Sequence, residues 1–265
     1  MNNIFCISLP KCATSTLADF FKSQGTIHEK YNSSFFSALK ISESNSNSRL
    51  LQNYLKKRFS NQNCCFDTSG YLHSVQNELF TLFPNHTFLR IVRSPSTWIP
   101  SYLEMLNEKK DDLYINGKHK NQGSYLFEYF YLNRICGAFN ITDLEKILHD
   151  ENQLSKIIEQ LASYWMKSNL ALSDNRTKVI TWKISDLTQI LSSLQGKNFY
   201  TSNTENVVSA QSVHSNISKK TSLRLIVENH IKEYPELVNE SEERYELLCR
   251  TCLSPWNEVY LLKNQ

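Results

Sequence analysis

Apolar residues in this chain fall into short runs that alternate with stretches of helical spacing. Asn3 to Ser8 (NIFCIS) is a short apolar run closed by Leu9-Pro10, and Ser15 to Lys22 (STLADFFK) then puts Leu17, Phe20 and Phe21 at helical spacing. This predicts strand, turn and helix. Cys64-Cys65-Phe66 before a Thr-Ser-Gly turn predicts a second short strand. Thr87 to Val92 (TFLRIV) predicts a third, leading through Arg93-Ser94-Pro95 into a helix from Thr97 to Leu106. Thr177 to Lys183 (TKVITWK) predicts a fourth, with helices near 153–172 before it and from Asp186 to Leu194 after it. Strands that alternate with helices need crossovers, so the expected fold is α/β, a central parallel sheet flanked by helices.

Helical patterns around 219–232 and 241–252 read as packing and capping elements, and SESNSNS at 42–48 as a polar loop. Asn107 to Gln122 is polar, charged and without a period, and it is long for a connection; the segment 107–122 suits a lid or a solvated surface insertion. No repeat or long low-complexity tract interrupts the pattern, so residues 1–265 are expected to form a single domain.

Composition narrows the function. At 265 residues, 40% hydrophobic and 12% aromatic, the chain has ample material for a core and lies far from the disordered class. A net charge of +3 is too small for a nucleic-acid binder, so any phosphate site must be local. The seven cysteines are an odd number, and MNNIFCISLP lacks the basic and apolar regions of a secretory leader. Free thiols and a cytoplasmic location are expected. No stretch approaches the roughly 20 apolar residues of a membrane span. Cys249-x-x-Cys252 has no second ligand pair and reads as helix packing.

Two segments carry chemistry. Leu9-Pro10-Lys11-Cys12-Ala13-Thr14-Ser15-Thr16 lies between a strand and a helix start. Backbone N–H groups of such a turn converge on one spot, where Lys11 adds a full charge and Thr14, Ser15 and Thr16 add hydroxyls: a phosphate cradle. It departs from G-x-x-x-x-G-K-[ST], in which the lysine comes late, after two glycines. The second segment puts Arg93 at the carboxyl end of a parallel strand, where open α/β sheets bind ligands, with Ser101 eight residues on.

In this order and context the two segments resemble the sulfotransferases that use 3′-phosphoadenosine 5′-phosphosulfate (PAPS). In that family a P-K-[ST]-G-T-T loop wraps the 5′-phosphosulfate and an R-x7-S segment holds the 3′-phosphate. Here the counterparts are Pro10-Lys11-Cys12-Ala13-Thr14-Ser15 and Arg93 with Ser101. Tyr164-Trp165 with Ile180 to Leu187 is similar to the family's W…V-x-R-Y-E-D-L segment, Val213 to Ser218 to its N-x-S stretch, and Leu248 to Asn257 to the Y-x-P-x-N ending of carbohydrate-type members.

The resemblance spans almost the whole chain. It implies a P-loop nucleoside-triphosphate-hydrolase-like architecture, PAPS as donor, PAP as product, no metal, and a hydroxyl or amine on a carbohydrate or small molecule as acceptor. It puts Lys11 on the leaving-group oxygen, the cradle from Lys11 through Cys12, Ala13, Thr14, Ser15 and Thr16 on the 5′-phosphosulfate, and Arg93 and Ser101 on the 3′-phosphate. The general base is then a Glu or His at the end of the strand after the cradle helix. Phe66-Asp67-Thr68-Ser69-Gly70-Tyr71-Leu72 is similar to the family's E-K-S-x-x-Y-F, with Asp67, one methylene shorter, in the acid's place. Asp67 also suits a cap on the Thr-Ser-Gly turn, and His28 and Glu29 compete for the base role.

Ala13 stands at the loop glycine; if that position has a positive φ, alanine there costs about 1 kcal/mol. Tyr125, Phe127, Tyr129, Phe130 and Tyr131 suit either an acceptor wall or a core helix. Two rival readings share these features. A small-molecule kinase would need a Walker loop and Mg²⁺ ligands that have no counterpart here, and a non-catalytic nucleotide-binding protein of the same fold is compatible with Ala13 and Asp67.

Overall fold

Three consecutive buried residues, Ile4–Cys6, form strand β1 at the centre of a five-stranded sheet. The computed structural model describes residues 4–22, 25–29, 32–45, 48–60, 66–115, 118–137, 141–169, 178–194 and 221–251. After β1 come helix α1 (Thr14–Phe20), strand β2 (Thr26–Ile27), helices α2 (Asn32–Ser44) and α3 (Ser48–Ser60), and strand β3 (Phe66–Asp67). Then follow α4 (Gln76–Leu82), strand β4 (Thr87–Val92), α5 (Pro95–Leu113) and a small hairpin of β5 (Tyr114–Ile115) and β6 (Lys118–His119). Helix α6 (Gln122–Glu128) passes through a π-helical segment, Tyr129–Asn133, into α7 (Arg134–Cys136), α8 (Leu144–Leu148) and α9 (Glu151–Asn169). Strand β7 (Lys178–Lys183) and helices α10 (Leu187–Leu194), α11 (Ser222–Glu233) and α12 (Asn239–Thr251) follow.

The large sheet is parallel, in the order β2-β3-β1-β4-β7. Every residue of β4 is buried, as expected of a strand covered on both faces. Its register runs unbroken from Thr87 opposite Lys178 to Val92 opposite Lys183. The chain builds one side of β1 with β2 and β3 and then crosses to the other with β4 and β7. Such a reversal leaves a crevice at the carboxyl ends of the strands. Phe5 anchors the core beneath it, with the rings of Phe59, Phe83 and Phe88 at 4.5 to 5.5 Å. Arg90, buried in β4, is tied by its guanidinium to the Asn169 carbonyl at 2.7 Å and the Gln76 side chain at 3.2 Å, joining the sheet to α9 and α4.

The helix expected to end at Leu106 continues to Leu113, so the segment 107–122 starts within it. Its first part is the solvated end of α5, where Lys109 and Asp112 pair at 3.0 Å, and the rest is the β5–β6 hairpin and the start of α6. A helix end facing water carries charge all round and so shows no apolar period. The hairpin is pinned to α6, since Tyr114 and His119 both bond the Glu128 carboxylate. The polar loop expected at 42–48 is likewise shortened, because α2 continues to Ser44. The expected strand residues Cys64 and Cys65, the 213–218 segment and the 252–257 tail lie outside the described residues. Among the described residues no helix is long and apolar enough to cross a membrane.

Candidate functional site

The cradle forms where β1 turns into α1. Lys11 and Ala13 both adopt left-handed backbone, with φ of 63° and 62°. Alternation of this kind turns amides toward one side of a loop. The amides of Ala13, Thr14, Ser15 and Thr16 have no backbone acceptor among the described residues; the first bond into α1 is from Leu17 to the Ala13 carbonyl at 3.0 Å. The glycine position is therefore one that does need positive φ, and alanine occupies it under strain. Cys12 departs from the sequence expectation. Its amide closes the turn onto the Leu9 carbonyl at 3.2 Å, and its thiol is buried, which pushes it up to about 12. Cys12 is thus scaffold, with neither amide nor thiol on the open face.

Arg93 meets this turn directly. Its Nη1 donates to the Lys11 carbonyl at 3.2 Å and its Nε to Thr97 Oγ1 at 3.3 Å. Two buried indoles brace the pair: Trp98 Nε1 donates to the Pro10 carbonyl at 2.7 Å, and Trp165 Nε1 to the Arg93 carbonyl at 2.9 Å. Ser101 lies on the same face of α5 as Thr97 and Glu104; it is buried, and its hydroxyl makes no hydrogen bond among the described residues. Glu104 accepts from the Thr221 amide at 3.3 Å and hydroxyl at 2.8 Å, and lies 3.7 Å from Arg224. Burial pushes the Arg93 guanidinium below its ordinary value, and nearby Arg224 acts in the same direction against Cys12, Glu104 and Glu228. An arginine short of solvation in a crevice favours an anion.

The ends of β2 and β3 form the opposite wall. His28 Nδ1 lies 3.0 Å from the Thr68 carbonyl, which can only accept, so Nδ1 carries the proton of the neutral ring. Nε2 is left as an acceptor, 3.3 Å from Ser15 Oγ at the lip of the cradle. Glu29, also left-handed at φ 47°, donates its amide to Ser69 Oγ at 2.9 Å. A Cβ on Gly70 would lie 3.3 Å from Glu29 Oε1 and 3.7 Å from both Pro10 Cα and Thr14 Oγ1, so a glycine there keeps these groups close.

Asp67 takes the capping role, not an open one. Only 1% exposed, its Oδ2 accepts from Arg58 Nε at 2.9 Å and Nη2 at 2.8 Å, while Oδ1 accepts the Ser69 amide at 3.0 Å. Burial works against the Arg58 charge, but Asp67 together with Tyr71 and Tyr54 outweighs it and holds the guanidinium above its ordinary range. Arg58 is the partner the sequence reading missed; its position on α3, a helix with Leu51, Leu55 and Phe59 buried at helical spacing, was the available signal. His73, in the 3-10 turn Leu72–Val75, donates Nδ1–H to the Gly70 carbonyl at 2.6 Å and accepts from Tyr164 OH at 2.8 Å. Burial lowers it to about 3, so it is a neutral strut.

Arg93 thus bonds the turn that carries Lys11 and His28 lies against Ser15 in the same turn region, Ser101 lies on the α5 face that carries Arg93's partner Thr97, and Cys12 and Asp67 are buried behind. No protein-family model matches the chain, and no curated protein is similar to it in sequence. What the fold defines is an α/β protein with a central five-stranded parallel sheet flanked by helices, in which the β1–α1 turn, Arg93 and His28 meet at the carboxyl ends of the strands.

Proposed function

We propose that this chain is a PAPS-dependent sulfotransferase. The observation that carries the reading is the contact of Arg93 with the Lys11 carbonyl at 3.2 Å, which holds the two segments of the sulfotransferase resemblance next to each other. The strand order, with β1 between β3 and β4, supports a P-loop-like architecture.

In this reading the amides of 13–16, the hydroxyls of Thr14, Ser15 and Thr16, and Lys11 hold the 5′-phosphosulfate, while Arg93 and Ser101 hold the 3′-phosphate. Bound there, PAPS supplies an activated sulfuryl group whose leaving group is a phosphate. Lys11 neutralises charge developing on the leaving oxygen. His28 is the general base: its unprotonated Nε2, which lies against Ser15 Oγ, takes the acceptor's proton, and the Thr68 carbonyl fixes the tautomer. Asp67 holds the β3 turn in shape from behind. The acceptor is a carbohydrate or small molecule bearing a hydroxyl or amine. Free thiols at Cys6, Cys12, Cys136 and Cys249 favour a cytoplasmic setting.

Thermal unfolding with PAP, AMP and ATP, with and without Mg²⁺, tests the donor. Selective, metal-independent stabilisation by PAP is expected. Stabilisation by ATP with Mg²⁺ alone would instead indicate a kinase.

A further inference from the structure

Where α1 faces the end of β2, a serine and a histidine from separate segments meet. Ser15 Oγ lies 3.3 Å from His28 Nε2, and His28 Nδ1 lies 3.0 Å from the Thr68 carbonyl and 3.2 Å from Thr68 Oγ1. Ser15 is exposed, His28 half-buried and Thr68 fully buried, so the three run in a row from solvent into the core. As a phosphate ligand the Ser15 hydroxyl acts only as a donor. Its contact with an unprotonated ring nitrogen gives it a second capacity.

Each member of the row is held by the fold. The Thr68 amide donates to the Ile27 carbonyl at 2.9 Å and the Thr68 hydroxyl to the same carbonyl at 3.3 Å, which fixes the end of β3 against β2 next to His28. Behind Ser15, α1 closes at Phe21, whose ring stacks on Phe66 of β3 at 3.9 Å. A carbonyl can only accept, so Nδ1 keeps the proton and Nε2 stays a base toward Ser15. A hydroxyl beside a base whose far nitrogen is oriented by a third group is the arrangement of an activated nucleophile. At 3.3 Å the pair is loose, as catalytic hydrogen bonds are before substrate tightens them.

We propose that Ser15 and His28 form a nucleophile–base pair that transfers acyl groups, with small carboxylic esters as substrates. Ser15 Oγ attacks the ester carbonyl carbon while its proton passes to His28 Nε2; the bond from that carbon to the alcohol oxygen breaks, and the alcohol leaves with the proton. Water then attacks the acyl carbon and gives one proton to Nε2. The bond to Ser15 Oγ breaks as the serine recovers that proton, and the carboxylic acid is released. No further reactant is needed. Lys11 and the turn amides without a backbone acceptor among the described residues are available to the oxyanion. The inference does not depend on the sulfotransferase reading, although both use His28 Nε2.

The test follows hydrolysis of p-nitrophenyl acetate by the full chain and labels the same preparation with diisopropyl fluorophosphate, mapping the phosphoryl group by mass spectrometry of the tryptic peptide 12–22. The native chain should hydrolyse the ester, lose that activity in step with labelling, and carry the label on Ser15. Ser15→Ala should lower hydrolysis to the uncatalysed rate, and His28→Gln should slow it about 10²- to 10⁴-fold with an unchanged melting temperature. Label on any other residue of the native chain, or no label at all, overturns the inference without recourse to a variant; so does hydrolysis that persists in Ser15→Ala. PAP separates the two readings. Hydrolysis and labelling that proceed unchanged in saturating PAP count against the donor reading and leave acyl transfer standing, whereas PAP binding to a chain that neither hydrolyses the ester nor takes the label overturns acyl transfer alone.

Discussion

The Arg93 guanidinium donates to the Lys11 carbonyl at 3.2 Å across 82 residues of sequence. Pro10 and Arg93 are each held again by a buried indole, so the geometry of the two turns is set by the core and not by a ligand. A site arranged before binding loses less on ordering its parts.

Arg93→Ala should weaken PAP by about 10- to 150-fold, the worth of a charge-assisted hydrogen bond, and leave AMP little changed because AMP lacks the 3′-phosphate. Calorimetric titration with both nucleotides checks this; equal losses for the two would remove Arg93 from the 3′-phosphate.

His28→Gln should lower turnover by about 10²- to 10⁴-fold while PAP affinity is retained, since a general base acts on the acceptor and not on the nucleotide. If Asp67 were the base instead, the glutamine variant would remain active.

Asp67→Asn should cost about 3 to 5 kcal/mol of stability in urea unfolding, because it leaves the Arg58 charge buried without its counter-charge. A loss of activity with no change in the urea midpoint would assign Asp67 to catalysis.

Ala13→Gly should raise stability by up to about 1 kcal/mol. Relief of the left-handed alanine at φ 62° exceeds the added freedom of the unfolded chain. A loss of stability by denaturant titration would mean that the turn is not strained there.

His73 gives the fold a pH dependence. Burial depresses its folded value from 6.5 to about 3, so the unfolded chain binds its proton first on acidification. Its contribution is fully present above about pH 6.5 and is lost as pH falls toward 3, at up to about 1.4 kcal/mol per pH unit. Urea midpoints at pH 7 and pH 5 should differ less in His73→Gln than in the native chain.

Much of this was legible in the order of residues alone. The apolar runs of β1 and β4 are buried almost throughout, and such strands announce themselves because nearly every position must avoid water. Their ends then put Lys11 and Arg93 where a parallel sheet binds ligands. Two-residue strands such as β2 show no period at all, and the charged end of α5 shows none either, so both escaped the pattern. The roles within the site were decided only by packing. Asp67 belongs to Arg58, His28 turns Nε2 to Ser15 and Ala13 is left-handed because of contacts between segments far apart in sequence. Local spacing specifies which face a side chain takes. Which distant group meets it there depends on strand register and helix packing, and these arise only when the whole chain is folded.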